Sequence, residues 1–307
     1  MSRIVVTGGS GRLGRSLVAG LAGRGHEIVS FDRGISSHPD LADAAQVAID
    51  LTDASATRAA LTEAKADAVI HLAAIAVPFS APEDVILRTN ASLAMSVLGG
   101  AVSAGIPRIV AASSPTVLGY GAPAGWRPER LPLDEDSPVR PWNAYGLSKL
   151  VVEQTIQMLH RQTGDATRFA AFRPCFVIAP EEWEGAPTQQ GHTVRERLDD
   201  PALSAPALFN YVDARDVAAF ADRLLDALGD IPNGDVFFVG ADDALARDPL
   251  ATLLPRFVPG TEEVASHLTG TLPAFSTAKA RRLLGWRPEH HWRAELARHD
   301  ERADLRA

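Results

Sequence analysis

Short apolar runs alternate with segments of helical periodicity through the first half of the chain. The runs are rich in β-branched residues and read RIVVTG, HEIVSFD, VAID, ADAVIHLAA, RIVAASS and RFAAFRP. The segments between them repeat apolar residues every three or four positions, as in GRLGRSLVAGLAGRG and NAYGLSKLVVEQTIQMLHRQTG. Strands that are apolar throughout are buried on both faces, so the alternation predicts an α/β fold with a doubly wound parallel sheet.

The alternation weakens beyond the run RFAAFRP. Proline, glycine and acidic residues dominate the stretch APEEWEGAPTQQG, and proline-interrupted segments return towards the carboxyl end. Such residues interrupt regular structure and mark loops. We therefore predict a large core from residues 1–176, to which residues 209–239 return. Residues 177–208 and 240–307 are predicted to form a small second domain.

Composition restricts the class of protein further. The chain has 307 residues, a net charge of -8 and a single cysteine, Cys175. The negative charge argues against a nucleic-acid partner, and one cysteine excludes an internal disulfide and a cysteine-rich zinc site. The sequence opens on a buried strand rather than a signal peptide, and no uncharged apolar stretch is long enough to span a membrane. These features predict a cytoplasmic protein that contacts neither membrane nor nucleic acid and holds no metal.

Three glycines separate the first predicted strand from the first helix. In VVTGGSGRLGRSL, Gly8, Gly11 and Gly14 follow the strand directly. A tight turn, a closely approaching pyrophosphate and close packing of helix on sheet all require glycine there. The start of the helix, at Arg12 and Leu13, offers N–H groups and a positive dipole end to phosphates. The turn therefore predicts that the large core binds a dinucleotide.

The second predicted strand ends at Asp32. An acidic residue at this point accepts hydrogen bonds from the adenosine ribose, and its charge repels the 2′-phosphate of NADP, so the sequence favours NAD. Arg33 and Arg12 are the opposing signal, because either guanidinium could bind that phosphate through two hydrogen bonds.

Further motifs follow the glycine turn in order. They are Asp32, IDLTD, HLAA, Asn90, SSPTVLGY, YGLSK, RPCFVIAP and YVDARDVA. With TGGSGRLG, this order resembles the extended short-chain dehydrogenase/reductase family, also called the NAD-dependent epimerase/dehydratase family. The resemblance implies a Rossmann sheet with a small C-terminal substrate domain. It also implies cofactor contacts at Asp50, Leu51, Leu72, Ala73, Ala74 and Asn90. For Asn90, a structural role in satisfying backbone groups is an equal alternative.

Tyr145 and Lys149 are the candidate reacting pair. They lie four residues apart in WNAYGLSKLVVEQ, so both project from one face of the predicted helix. The chain has only three tyrosines and three lysines, which makes this spacing unlikely to arise by chance. Hydride transfer requires a base at the reacting oxygen, and an adjacent ammonium lowers the pKa of a phenol. Lys149 could also reach the cofactor ribose. By resemblance, Ser114 holds the substrate oxygen, with Ser113 as the alternative, and Thr116 adds a substrate contact.

Two positions depart from the nucleotide-sugar enzymes of this family. Phe176 and Phe209 stand where those enzymes commonly carry an asparagine and an arginine for the substrate diphosphate. Without these partners, buried phosphate charge would be poorly paired. Within this family, the chain therefore resembles uronate dehydrogenases more than the nucleotide-sugar enzymes. Uronate dehydrogenases oxidise a free sugar acid. His192 and Arg195, with Arg197 beside them, are the candidates for binding a carboxylate, and a solvated helix face is the alternative.

The leading hypothesis is an NAD-dependent oxidoreductase that transfers hydride between the nicotinamide and a hydroxyl or carbonyl of a small polar substrate, a free sugar or sugar-acid derivative. One alternative is a nucleotide-sugar epimerase or dehydratase that retains NAD, although Pro115 and Thr116 replace the carboxylates of a dehydratase. A nucleotide-sensing regulator is a third class, but a regulator needs no catalytic base. The resemblance also implies a homodimer, and the helices around residues 85–104 and 145–162 have apolar faces that suit such a contact. Packing of these faces on the sheet is the alternative.

Overall fold

A seven-stranded sheet forms the centre of the computed structural model, which describes residues 1–304. Within these residues the strands are β1 (Arg3–Thr7), β2 (Glu27–Asp32), β3 (Ala45–Ala48), β4 (Ala68–His71), β5 (Arg108–Ala112), β6 (Arg168–Pro174), β7 (Val177–Ile178), β8 (Val212–Asp213) and β9 (Asp235–Val239). The sheet order is β3-β2-β1-β4-β5-β6-β9, and β7 pairs with β8 separately. Pairings from β3 through β6 are parallel, which confirms the predicted doubly wound Rossmann sheet.

The strand order reverses between β1 and β4. Doubly wound sheets bind their ligands beside the carboxyl ends of the strands at such a reversal. The parallel register places Thr7, the last residue of β1, opposite Phe31 on one side and His71 on the other. The glycine turn that follows β1 therefore begins beside the ends of β2 and β4.

Helices connect the strands and cover the sheet. They are α1 (Arg12–Ala22), α2 (Ala54–Ala64), α3 (Glu83–Ala94), α4 (Gly100–Ser103), α5 (Ala144–Thr163), α6 (Pro180–Trp183), α7 (Val194–Asp199), α8 (Ala214–Ala227), α9 (Leu250–Phe257), α10 (Glu262–Ala265), α11 (Ala278–Leu284) and α12 (Trp292–Asp304). Val5, Val69, Ile109 and Phe169 pack from the sheet against residues of α2, α3, α4 and α5. Helices α1 and α8 add nothing to that cluster, and they meet at Gly20, where a Cβ would lie 2.6 Å from the Ala218 side chain.

The segment from α3 to α4 is continuous, with a π-helical turn at Met95–Gly99. By length and composition, Glu83–Ser103 is the one helix among the described residues that could cross a membrane, and half of its apolar window is buried in the protein. Core helices of soluble proteins meet the same criterion, so this is weak support for a membrane span.

The chain divides into two compact units that alternate along the sequence. Unit 1 consists of Met1–Gly119, Val139–Arg173 and Ala218–Phe237. Unit 2 consists of Tyr120–Pro138, Pro174–Val217 and the described residues from Phe238 onwards. Unit 1 holds the glycine turn and the Tyr145–Lys149 pair.

Residues 120–138 and 209–217, which the sequence assigned to the large core, lie in unit 2. Leu133 donates its N–H to the Ala274 carbonyl at 2.7 Å and accepts from Ser276 at 2.8 Å. The Phe209 carbonyl accepts from Leu245 N–H at 2.8 Å. Both segments therefore make backbone hydrogen bonds to chain beyond residue 240, which local sequence patterns do not reveal.

Candidate active site

The glycine turn after β1 is tightly packed. Gly8 has a left-handed φ of 73°, and a Cβ there would lie 2.9 Å from the backbone of Ala73. A Cβ on Gly14 would lie 2.1 Å from the Gly8 carbonyl oxygen. Gly11 is the N-cap of α1 and makes no side-chain capping hydrogen bond. The turn therefore holds the first N–H groups of α1 close to the end of β4 without a capping side chain over them.

Ser10, inside this turn, is a residue that the sequence analysis missed. Its buried Oγ has no hydrogen-bond partner among the described residues. Its N–H donates to Oδ2 of Asp32 at 3.0 Å, and Arg33 N–H donates to Oδ1 at 2.7 Å. A buried hydroxyl without a partner next to a helix amino end fits a phosphate oxygen. The sequence signal that could have identified Ser10 is that it carries the one side-chain hydroxyl within GGSGRLG.

Residues predicted to contact the adenosine half lie around this turn. Arg12 and Leu13 are half-buried in the first turn of α1, whereas Arg33 and Asp50 are exposed. The hydroxyl and N–H of Thr52 hold the pKa of the Asp50 carboxyl below its ordinary value, and the charge of Arg33 adds to this.

The Leu51 side chain packs in the core cluster beneath α2, which leaves its backbone as the part most able to meet a ligand. Leu72, Ala73 and Ala74 are half-buried directly after β4. The Thr7 hydroxyl oxygen accepts from the N–H groups of Leu72 and Ala73 at 3.2 and 3.3 Å. The predicted strand end thus lies beside the glycine turn.

His71 is a packed strand histidine. Its Nδ1 lies 2.8 Å from the Thr7 hydroxyl. Burial, assisted by the charge of Lys149, lowers the pKa of His71 to about 3, so the ring is neutral at physiological pH.

Asn90 on α3 connects the chain after β4 to α5. Its Oδ1 accepts from Ile75 N–H at 2.8 Å, and its Nδ2 donates to the Ile75 carbonyl at 3.2 Å and to the Ser148 hydroxyl at 3.0 Å. Ser148 in turn donates to the Tyr145 carbonyl at 2.7 Å. The amide thereby satisfies backbone groups, in line with the structural alternative, and it also positions the helical turn that carries Tyr145.

Ser114, Tyr145 and Lys149 come together at the carboxyl end of β5 and the first turns of α5. All three are buried, and the Ser114 and Tyr145 hydroxyls are hydrogen-bonded. The Lys149 ammonium lies 5.8 Å from the centroid of the Tyr145 ring and donates to the Ala112 carbonyl at 3.0 Å. The Thr116 hydroxyl donates to Ser114 Oγ at 2.9 Å. The arrangement is a connected set of hydroxyls with an ammonium beside it.

Burial controls the ionisation of this set. It raises the pKa of the Tyr145 phenol to about 12, although the Ser114 hydrogen bond opposes the rise. Burial also lowers the pKa of Lys149 to about 8. The expected lowering of the phenol pKa by Lys149 is therefore outweighed, because desolvation disfavours both charged forms.

Ser113 is directed away from the reacting groups. Its hydroxyl donates to Oε1 of Glu153 at 2.6 Å, and Arg173 donates to both oxygens of that carboxylate, at 2.8 and 2.9 Å. Ser114 is thus the serine that meets Tyr145. The buried Glu153–Arg173 pair fixes α5 to the ends of β5 and β6, and the sequence analysis did not identify it.

The predicted substrate residues of unit 2 have different environments. His192 is exposed, and Arg195, also exposed, forms a salt bridge with Asp300. Arg197 is buried, with its guanidinium 4.3 Å from the centroid of the Phe176 ring. The two arginines, both candidates in the sequence, therefore lie on opposite sides of α7.

Phe209 is a buried residue of unit 2. Its side chain is 1% exposed and packs on Phe257, with ring centroids 5.9 Å apart. Within residues 1–304, no cluster of histidine, cysteine and acidic side chains has the arrangement of a metal site.

A glycine turn at the strand-order reversal and a buried serine–tyrosine–lysine set are typical of dinucleotide-dependent oxidoreductases. The family model described as the NAD-dependent epimerase/dehydratase family matches residues 4–240. The chain belongs to this family of extended short-chain dehydrogenases/reductases, as the motif order indicated.

Two of the relatives have different activities in their names. A uronate dehydrogenase from Agrobacterium fabrum is 31% identical over 208 residues, which cover 68% of this chain and 74% of that protein. A UDP-glucose 4-epimerase from Azospirillum brasilense is 33% identical over 159 residues, but these cover only 50% of this chain and 44% of the epimerase. Among solved structures, a short-chain dehydrogenase/reductase superfamily protein from Agrobacterium tumefaciens with bound NAD has a TM-score of 0.72 and 25% identity, covering 99% of this chain and 98% of that one.

Proposed function

We propose that this protein is an NAD-dependent oxidoreductase that acts on a hydroxyl or carbonyl group of a free sugar or sugar-acid derivative. The observation that carries the proposal is the buried contact between the Ser114 and Tyr145 hydroxyls, with the Lys149 ammonium 5.8 Å from the phenol ring. These groups lie in the same unit as the glycine turn. A base, a positioning hydroxyl and a cation are what removal of an alcohol proton requires.

The glycine turn and its neighbours would hold the cofactor. The N–H groups at the start of α1 and the Ser10 hydroxyl would bind the pyrophosphate. Asp32, held by Ser10 and Arg33 backbone groups, would accept from the adenosine ribose hydroxyls. The negative charge of Asp32 supports NAD over NADP, whereas the exposed Arg33 is the opposing signal because it could bind the 2′-phosphate of NADP. Lys149 would reach the nicotinamide ribose.

Each reacting side chain has a distinct role in the proposed oxidation. Ser114 holds the substrate hydroxyl, and the Tyr145 phenolate removes its proton while the hydrogen on the carbon that bears this hydroxyl leaves as hydride. Bound NAD supplies the hydride acceptor. Thr116 donates to Ser114 Oγ, which leaves the Ser114 proton free to point at Tyr145. In the reverse direction Tyr145 is the proton donor.

A free sugar or sugar acid is supported over a nucleotide-sugar. Neither Phe176 nor the buried Phe209 can pair with a diphosphate. Epimerisation, favoured by the epimerases among the relatives, would return the hydride to the substrate and give no net reduction of the cofactor.

We further propose a cytoplasmic homodimer. An apolar face on α3, the π-helical turn after it and α5 supports the dimer, since Met95 in that turn and Leu147 on α5 are 47% and 40% exposed. Leu87, Leu150 and Val151 on the same helices are half-buried. Exposed apolar side chains on neighbouring helices support an interaction surface there. The single cysteine is consistent with a reducing compartment.

A tyrosine pair of variants tests the proposed function. Wild-type protein with NAD and D-glucuronate or D-galacturonate should produce reduced nicotinamide, measured by its ultraviolet absorbance. Tyr145→Phe should lose at least about 10²-fold in turnover, because the proton acceptor is gone, while calorimetric binding of NAD persists. Tyr120→Phe, whose ring packs on Trp126 and Phe275, is the matched control and should keep activity. Full turnover in Tyr145→Phe would refute the proposal.

A further inference from the structure

Three consecutive residues at the end of β5 meet three consecutive turns of α5. Tyr145, Lys149 and Glu153 are spaced by four residues, so their side chains lie on one face of the helix. Opposite them, residues 112–114 supply in turn a carbonyl acceptor for Lys149 at 3.0 Å, a hydroxyl donor to Oε1 of Glu153 at 2.6 Å and a hydroxyl partner for Tyr145. Glu153 therefore belongs to the same contact between strand and helix as the candidate reacting groups.

The Glu153 carboxylate is shared between Ser113 and Arg173 of β6. Arg173 donates to both carboxylate oxygens, from Nε at 2.8 Å and from Nη2 at 2.9 Å, as the planar guanidinium fork allows. The Glu153 and Arg173 side chains are 7% and 3% exposed. Replacing a buried ion pair by apolar residues of similar volume is often neutral or stabilising, so stability alone does not account for this pair.

Lys149 is a second buried cation, one helical turn from Glu153. Of its three N–H donors, one binds a backbone carbonyl of β5. No carboxylate among the described residues forms an ion pair with Lys149, and burial lowers its pKa to about 8. His71 faces it from β4 but is neutral, since burial lowers the pKa of His71 to about 3, and Glu83 of α3 accepts from a backbone N–H at the start of α5. Two N–H groups are thus left for Tyr145 and the nicotinamide ribose.

The spacing of Lys149 and Glu153 would itself favour an ion pair between them. Opposite charges four residues apart on a helix attract, and they attract more strongly where water is excluded. Arg173 and Ser113 instead occupy the carboxylate. If Arg173 were absent, the buried negative charge would be left with Lys149 as the cation one helical turn away.

We propose that Arg173 is a positioning residue for the reaction, which holds the Glu153 carboxylate on Ser113 and away from Lys149. The ammonium is thereby kept for Tyr145 and for the nicotinamide ribose. An ammonium paired with Glu153 would no longer favour the phenolate, because the carboxylate would neutralise its charge. Arg173 touches neither substrate nor cofactor in this role, which rests on the proposed function of Lys149.

Lysine NMR tests the proposal without substrate or cofactor. The chain has only three lysines, Lys65, Lys149 and Lys279, so protein with isotopically labelled lysine gives few side-chain signals. Loss of one signal in Lys149→Met identifies that of Lys149, and a pH titration then gives its pKa. Arg173→Met should raise the Lys149 pKa by about 1 or more, because the released carboxylate favours the charged ammonium.

Glu153→Gln breaks the same ion pair from the other side and should give no such rise, because no carboxylate is left to pair with Lys149. The double variant Glu153→Gln/Arg173→Met should also give no rise. Arg168→Met is the matched control on the same strand, since Arg168 pairs with the exposed Asp165, and it should leave the Lys149 pKa unchanged. A purely structural ion pair would instead respond alike to the loss of either partner.

Calorimetric binding of NAD gives a second readout. Arg173→Met should raise the Kd for NAD by about 10-fold, because a hydrogen bond from the ammonium to the ribose is lost, and the double variant should recover most of the affinity. The inference is overturned if Arg173→Met leaves the Lys149 pKa at its wild-type value, or if Glu153→Gln raises that pKa as much. Arg173→Gln, which keeps an amide donor without the charge, provides the same comparison should Arg173→Met fail to fold.

The inference and the proposed function can fail separately. A wild type that oxidises no sugar acid, or turnover that survives Tyr145→Phe, would refute the proposed function, and the lysine titration would still decide the role of Arg173. Conversely, Tyr145-dependent oxidation together with a Lys149 pKa that Arg173→Met does not change would refute only the inference.

Discussion

At the scale of single residues, burial and function make opposite demands on the candidate reacting groups. Burial raises the pKa of Tyr145 to about 12 and lowers that of Lys149 to about 8. The neutral phenol is therefore the dominant form near pH 7, which suits proton donation during reduction. Oxidation needs the phenolate, so its rate should increase as the pH rises above neutrality.

Lys149 gives a stability prediction with a defined pH window. Its pKa falls from 10.5 to about 8 on folding, so between these values the unfolded chain holds a proton that the folded chain lacks. The free energy of unfolding of wild type relative to Lys149→Met should therefore rise with pH across this window, by about 3 kcal/mol. Urea denaturation from pH 7 to 10.5 measures the difference.

The exposed Lys65 provides the control for that titration, since Lys65→Met should show no such dependence. Tyr145 is present in both proteins, so its own titration cancels. A constant difference between wild type and Lys149→Met across the window would show that the ammonium is not desolvated.

Single residues also show where sequence reasoning succeeds and where it stops. Tyr145 and Lys149 are recognisable because helical periodicity alone puts them on one face. Arg195 and Arg197 have the same residue type and neighbouring positions, yet among the described residues only Arg195 has an acidic partner, Asp300 from α12. Likewise, what distinguishes Ser113 from Ser114 is the hydrogen bond from Ser113 to Glu153. Such partners lie far away in the sequence, and no local pattern specifies them.

At the scale of elements, the start of α5 is built against the turn that follows β5. Asn143 caps the helix by accepting from Gly146 N–H at 2.8 Å, and Glu83 of α3 accepts from Ala144 N–H at 2.6 Å. A Cβ on Gly146 would lie 2.9 Å from the Thr116 carbonyl oxygen. The glycine between the catalytic candidates therefore permits the approach that brings Ser114 to Tyr145.

Gly146→Ala should disturb this contact. The added methyl must displace the backbone at Thr116, so we expect a destabilisation of about 1–3 kcal/mol and a lower turnover number with NAD affinity retained. Gly229→Ala is the control, because a Cβ there meets nothing within 4 Å. Thermal melts and steady-state kinetics test both variants, and unchanged turnover in Gly146→Ala would argue against the close packing.

At the scale of the whole molecule, the apolar face of α3 and α5 carries the proposed dimer. Leu147→Glu places a charge in that face and should convert the dimer to a monomer in sedimentation velocity at micromolar concentration, because burying an unpaired carboxylate costs several kcal/mol. Leu272→Glu, in unit 2, replaces a leucine that is 46% exposed and should leave the dimer intact. A monomeric wild type, or a dimeric Leu147→Glu variant, would contradict the assignment.

The parallel sheet was predictable from the alternation of apolar runs, whereas the division into units was not. Strands that are apolar throughout identify a buried parallel sheet by themselves. Residues 120–138 and 209–217, however, join unit 2 through backbone bonds to Ala274, Ser276 and Leu245. The partners in those hydrogen bonds are distant in sequence, so neither composition nor local pattern predicts them.

The interleaving of the two units affects the order in which the protein can form during synthesis. Six segments alternate along the chain, so it crosses from one unit to the other five times. The central sheet is incomplete until β9, ending at Val239, has left the ribosome to cover the open edge of β6. A nascent chain halted after Pro174 would expose an unpaired, apolar strand that favours association with other chains. Neither unit is therefore separable as a contiguous fragment. Most of the chain must be synthesised before all segments of either unit are present.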